Sequence, residues 1–245
     1  MPAVKVISLE RSADRRAAFA RLNPQLDYEF FNAVDGAALT RAAVASTGLF
    51  APGLDYTAGA YGVALSHHAL WQAAMASGEP LTVAEDDAIF REDFAAARDA
   101  LLATLLPGWD MVLWGWNFDS ILALRVLPGM PAVMAFDAQA MRAALAGFPY
   151  TTARPAAFRL DVAFGLPAYT ISPNGAKKLT ARCFPLTEFR REQTLLAEPV
   201  TNKGIDAALT NHYGTTDTYV CFPPLAATPN DKAASTIQNG RYLPG

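Results

Sequence analysis

The stretch LTVAEDDAIF, Leu81 to Phe90, places Glu85, Asp86 and Asp87 directly after an apolar, β-branched run. Three adjacent carboxylates repel one another and raise one another's pKa unless a cation or hydrogen-bond donors compensate. Hard divalent cations such as Mg²⁺ and Mn²⁺ take oxygen ligands and commonly use only one or two protein carboxylates, leaving the other positions to water and substrate phosphates. A metal held by Asp87, with help from Asp86 or Glu85, is one reading of the run. The other is a solvated turn in which Asp87 caps a short helix.

The elements that must present these acids follow a strand–helix rhythm. Strand-like runs recur at Val4 to Leu9, Tyr28 to Val34, Leu81 to Ala84, Met111 to Trp114, Ala168 to Ile171 and Thr218 to Phe222, with helix-like segments between most of them. Ser12 is a candidate N-cap for the first helix, and Ser172 with Pro173 opens a later one. The alternation predicts an α/β fold with a mainly parallel central sheet flanked by helices. The acids then sit at the carboxyl end of a strand, where open α/β sheets place their ligand crevice.

Composition limits the partners. A chain of 245 residues, 52% hydrophobic and 18% charged, can bury the core of one domain spanning 1–245. Loops are expected at Gly48 to Gly59 and Gly147 to Pro155, and an irregular tail, loose or laid across the surface, at 223–245. A net charge of −3 with scattered Lys and Arg argues against a nucleic-acid surface and for a small partner. The N-terminus lacks a long apolar segment and no stretch is apolar enough to span a bilayer, so the expected location is cytoplasmic, with at most peripheral membrane contact. Cys183 and Cys221 could pair but do not make a disulfide framework.

Seven motifs in order, VISLERSADRRAAF, FFNAVDG, GAYGVALSHHALW, VAEDDAIF, DMVLWG, AYTISPNGAKKL and GIDAAL, resemble the family 25 glycosyltransferases. These are lipopolysaccharide and lipooligosaccharide sugar transferases related to collagen galactosyltransferases. The resemblance runs from about residue 4 to 210. It implies a GT-A fold, a UDP-hexose donor, often UDP-galactose, inversion at the anomeric carbon, a saccharide or glycolipid acceptor and Mn²⁺ or Mg²⁺. The chain departs from the pattern at Ser8, where the family usually has Asn, and at Val63, where it often has Cys. STI at Ser235 to Ile237 echoes the family's C-terminal signature only loosely.

The resemblance assigns roles residue by residue. Glu85, Asp86 and Asp87 match the metal-site acids, with Glu85 and Asp86 also on the donor side. The pattern NLxxxxxR maps onto Leu9 and Arg15 as nucleotide or phosphate contacts, with Arg16 beside them; a solvated helix face is the alternative. Asp35, before Gly36, is a nucleotide contact or a turn former. The SH pair matches Ser66 and His67, yet helical spacing sets Val63, His67, Leu70 and Ala74 on one face, where a satisfied core histidine is the commoner role. Asp206, near a predicted helix start, is a candidate general base for the acceptor hydroxyl, or only an acid favoured by the helix dipole. His212 is a candidate late metal ligand or a structural histidine beside Tyr213. Alternation puts Trp114 and Trp116 on the same side, with Trp116 the better candidate to face the acceptor.

Two other classes remain open. A metal-dependent phosphohydrolase also wants clustered acids, but GxxxxGK[ST] and a His-rich two-metal set are missing from the sequence. A non-catalytic nucleotide-sugar or carbohydrate-binding protein would keep the same fold.

Overall fold

The computed structural model describes residues 2–193, 196, 198–231 and 241–243. The first half runs β1 (Val4–Ser8), α1 (Ala13–Leu22), β2 (Tyr28–Asn32), α2 (Arg41–Ser46), α3 (Ala58–Ser77), β3 (Leu81–Glu85), β4 (Ile89–Phe90), α4 (Phe94–Leu102) and β5 (Met111–Leu113). The second half adds β6 (Ile121–Leu127), β7 (Met130–Ala135), α5 (Ala138–Ala144), β8 (Ala156–Val162), β9 (Ala168–Ile171) and α6 (Pro173–Cys183). It ends with β10 (Arg190–Arg191), β11 (Val200–Thr201), α7 (Ile205–Thr210), β12 (Thr218–Phe222) and β13 (Ala226–Ala227).

One nine-stranded sheet carries the molecule, in the order β2-β1-β3-β9-β5-β12-β8-β6-β7. The pairings β1·β2, β1·β3 and β5·β12 are parallel. Strand β9 runs against β3 and β5, and β8 and β7 run against β6. Six strands therefore point one way and β9, β8 and β7 the other, so the expected α/β sheet is observed with antiparallel insertions.

Period-two alternation divides the core between the two faces of this sheet. Ile7, Val83, Met111, Leu113, Tyr169 and Ile171 face one cluster, which α3, α6 and α7 cover through residues such as Leu70, Trp71, Leu179 and Leu209. Val4, Val6, Ala84, Val112 and Cys221 face the other, covered by Phe19 of α1 and by Phe94 and Leu101 of α4. Cys183 and Cys221 are buried, unpaired and in different clusters, so they form no bridge.

Helix α3 is fixed at both ends. Thr57 caps its start by accepting from Ala60 N, and Gly78, at φ +71°, closes it in the left-handed region. The opening of α6 follows the expected chemistry: the Ser172 hydroxyl accepts from Gly175 N at 2.9 Å and Pro173 takes the first helical position. Ser12 stands at the cap position of α1, but its side chain makes no capping hydrogen bond.

The segment after β12 corrects an expectation. Rather than lying loose or across the surface, Leu225, Ala226, Ala227 and Thr228 are buried, and β13 pairs antiparallel with β4. Two residues are too few to show a period in the sequence, yet enough to form the pairing. Leu243 is also buried. The STI echo at 235–237 lies outside the described residues.

Candidate functional site

The loops after β1, β2 and β3, the connection into β9 and the start of α7 surround one cavity of about 1220 Å³. Leu9, Arg15, Asp35, His67, Glu85, Asp86, Asp87 and Asp206 all line it. Residues distant in sequence converge here because β1, β2 and β3 are parallel neighbours and release their carboxyl ends side by side.

The three acids differ in state. Asp86 is committed to the protein: Oδ2 accepts from Ser8 Oγ at 2.7 Å, and Oδ1 accepts from Arg15 Nε at 2.9 Å and also pairs with Arg15 Nη2. The Arg15 guanidinium is correspondingly raised above its ordinary pKa by this bond. Asp87 has the opposite surroundings. Its Oδ1 is buried without a partner, and burial, reinforced by the Glu85 charge, pushes the carboxyl up to about 7. Glu85 ends β3 and keeps a partly exposed side chain facing the cavity.

That contrast tests the metal reading on the donors themselves. A buried carboxylate oxygen without a partner, held beside a second acid, fits a divalent cation that draws its other ligands from water and phosphate. Asp87 is the residue that would hold it. Asp86, which already accepts once from Ser8 and twice from Arg15, has most of its lone pairs engaged, a correction to its reading as a ligand. His212 is a second correction. It does not line the cavity; it precedes the 3₁₀ turn Tyr213–Thr215, its carbonyl accepts from Thr216 Oγ1 at 3.0 Å, and Arg182 and Arg191 lie close enough to disfavour a cation there. Among the described residues no three His, Cys, Asp or Glu side chains converge into a ligand set.

Asp206 stands in the first turn of α7 and its Oδ2 accepts from Gly165 N at 2.9 Å. Gly165 sits at φ +79°, and a Cβ there would meet the Asn117 side chain at 2.2 Å, so this turn requires glycine to present its N–H. Burial raises the Asp206 pKa, backbone donors lower it, and the Glu85 charge raises it further; the net shift is upward.

Asp35 accepts from Ala37 N and pairs with Arg11, so it forms the turn and also lines the cavity. Arg16 does not reach the cavity; its Nη2 joins the Ser8 carbonyl and Asn32 Oδ1 at the ends of β1 and β2. Ser66 is likewise a brace. Its hydroxyl donates to the Gly62 carbonyl at 2.7 Å and accepts from Val34 N at 2.9 Å, which fastens the end of β2 to α3.

Trp116 is a third correction. It is fully buried, stacked on Phe222 with ring centroids 6.1 Å apart and packed against Phe118 and Phe136, so it cannot face an acceptor. The alternation that set it beside Trp114 ends with β5 at Leu113: Trp114 packs on the α4 side and Trp116 on the α3 side. Gly115 turns the chain against the Ala226 carbonyl, where a Cβ would stand 2.3 Å from the oxygen.

The cavity also contains residues that spacing did not single out, among them Arg11, Asn117, Lys203, Thr228 and Arg241. Arg11, four residues before Arg15, had a readable signal; Thr228 and Arg241 had none.

Comparisons with known proteins agree with the resemblance. The family described as Glycosyltransferase family 25 (LPS biosynthesis protein) matches residues 1–190. The mouse (Mus musculus) protein named inactive glycosyltransferase 25 family member 3 is 28% identical over 76% of this chain and 31% of its own length. A glycosyltransferase 25 family member of Aedes aegypti is 33% identical over 46% of this chain and 21% of its own. The chain thus spans about a third or less of the curated relatives it matches. Among solved structures, A197 from STIV aligns over 90% of this chain and 81% of that one, at 11% identity and a TM-score of 0.36.

Proposed function

The chain belongs to glycosyltransferase family 25, and from that premise we propose that it moves a hexose, galactose foremost, from a UDP-sugar to a saccharide or glycolipid acceptor such as a lipopolysaccharide core. The observation that supports this reading is the cavity itself, which collects Arg15, Glu85 and Asp87 from the β1 and β3 side and Asp206 from α7. Transfer from a nucleoside diphosphate needs the departing charge neutralised at one end and an acceptor hydroxyl deprotonated at the other.

Mn²⁺ or Mg²⁺ held at Asp87 would supply Lewis-acid neutralisation of the diphosphate. Around it, Arg15 fixes Asp86 and thereby the shape of the acidic loop, while Arg11 and Lys203 add positive charge to the cavity wall. Asp206, steadied by the Gly165 N–H, takes the proton of the attacking hydroxyl; its raised pKa brings it closer to the operating pH than an ordinary carboxylate. One base and one displacement give inversion, and the GT-A assignment belongs to the same reading.

A second reading, nucleotide-sugar binding without transfer, draws on the mammalian relatives named inactive. Incubation with Mn²⁺ and a panel of nucleotide sugars, with released nucleoside diphosphate as the readout, separates the two. The expected result is release from a UDP-hexose that stops with chelator and falls by more than tenfold in Asp87→Asn, whose amide is a poor cation ligand of similar shape. Turnover at the wild-type rate in Asp87→Asn, unaffected by chelator, overturns the metal assignment; donor binding with no release from any sugar favours the binding protein.

A further inference from the structure

Beneath the acids lies a buried chain of hydrogen bonds that the proposed chemistry does not use. Trp71 Nε1 donates to the Tyr169 hydroxyl at 2.9 Å, and the same hydroxyl lies 2.8 Å from Nδ1 of His67. All three side chains are fully buried. His67 and Trp71 stand one turn apart on α3, and Tyr169 rises from β9 below them. On the far side of the imidazole, Nε2 has no hydrogen-bond partner in the protein and stands 3.8 Å from Glu85 Oε1. His67 and Glu85 both line the cavity.

The protons in this chain can be assigned. An indole N–H only donates, so it occupies a lone pair of the Tyr169 oxygen. Burial raises the Tyr169 pKa and keeps the phenol protonated, so its O–H needs an acceptor. Among the described residues His67 Nδ1 is the acceptor paired with it. Were Nδ1 protonated instead, both neighbours would donate to the Tyr169 oxygen and its own buried O–H would be left without an acceptor, a costly arrangement in a dry interior. A neutral ring that accepts at Nδ1 carries its proton on Nε2, toward Glu85.

Glu85 has a particular place among the acids. It lines the same cavity as Asp87 and Asp206, and its charge acts on both. The sugar of a donor must lie between the diphosphate it leaves and the hydroxyl that attacks it, within the cavity that these three acids share. A carboxylate is acceptor-only, with about four lone-pair sites; one directed at His67 leaves the others for sugar hydroxyls.

The geometry points to His67 as a positioning residue: the Trp71–Tyr169–His67 chain fixes its Nε2–H tautomer, and that N–H orients the Glu85 carboxylate to accept from hydroxyls of the donor hexose. This rests on the nucleotide-sugar reading above. The 3.8 Å separation closes by rotation of the Glu85 side chain, as polar contacts at such sites tighten when ligand binds.

Two measurements on the whole chain test it. Long-range proton–nitrogen NMR resolves the tautomers of the three histidines, with His67 identified by its loss in His67→Gln. The expected state is Nε2–H; an Nδ1–H ring overturns the inference. Calorimetry with Mn²⁺ then compares UDP with UDP-galactose and UDP-glucose. For whichever sugar nucleotide binds more tightly, His67→Leu should weaken binding about tenfold, the worth of a charge-assisted hydrogen bond, while UDP itself changes less than about twofold; Glu85→Gln should weaken the sugar nucleotide at least as much. His67→Gln, which keeps an N–H near Nε2, should recover most of the loss. Tyr169→Phe serves if His67→Leu fails to fold, and should mix the tautomers and show the same selective loss. Equal losses for UDP and UDP-sugar, or none, overturn the role of the pair. A wild type that binds neither UDP nor a UDP-sugar overturns the donor site instead, a result distinct from intact UDP binding with an unchanged ratio.

Discussion

Asp206 offers the clearest residue-scale test, because its folded pKa is raised by burial and by the Glu85 charge. A carboxyl with a folded pKa above its unfolded value binds its proton more tightly when folded. Its contribution to stability is complete below the unfolded value of about 4 and is lost as pH rises through the folded value. Asp206→Asn does not titrate and keeps an acceptor for Gly165 N. Thermal melts from pH 4 to 8 should therefore show the variant gaining on the wild type as pH rises; parallel curves would mean that Asp206 titrates normally. The same variant should retain UDP binding yet slow transfer by a factor on the order of a hundred to ten thousand, as loss of a positioned base does. If UDP binding weakens as much as turnover, Asp206 belongs to the donor side.

At the scale of elements, the site depends on how closely the turn after β2 sits on α3. A Cβ at Gly36 would lie 1.8 Å from the Ala58 carbonyl oxygen, and one at Gly62 would lie 2.4 Å from the Val34 carbonyl oxygen. Gly36→Ala should cost on the order of 1–3 kcal/mol, seen as a lowered melting temperature, because the obstacle is backbone that cannot rotate away. Since Asp35 and Ala37 line the cavity, UDP affinity should fall with it; an unchanged affinity would detach this turn from the nucleotide.

Elements also set what the sequence could reveal. The runs ending at Leu9, Ala84 and Phe222 were legible because buried strands are nearly continuous in apolar residues. The hairpin β6–β7 was not picked out, although Pro128 and Gly129, at φ +75°, mark its turn; β8 mixes Arg159 and Asp161 into an apolar stretch that reads poorly. The acidic run was legible by its position at a strand end. That Ser8 and Arg15 neutralise Asp86 while Asp87 keeps an unpartnered oxygen depends on contacts across about seventy residues or more, which no local pattern encodes.

For the whole molecule, ligand linkage is the broadest check. A ligand that binds only the folded state stabilises it by mass action, about 2.7 kcal/mol at a hundredfold excess over Kd. UDP with Mn²⁺ should raise the melting temperature more than GDP or CMP with Mn²⁺, and more than either component alone. Equal shifts with all three nucleotides would argue against a uridine-selective pocket. None of the described helices is long and apolar enough to cross a membrane.

Strand β12 gives the order of assembly a constraint of its own. It lies between β5 and β8, inside the sheet, yet it is made about a hundred residues after β5 and more than fifty after β8. During synthesis β5 and β8 must wait with unpaired edges until residues 218–222 emerge, a slow, non-local closure. The nascent chain is thus exposed to mispairing while the hundred or so residues between β5 and β12 are made, and its yield should depend on how well that gap is guarded, by chaperones or by pace, rather than on the stability of the finished fold.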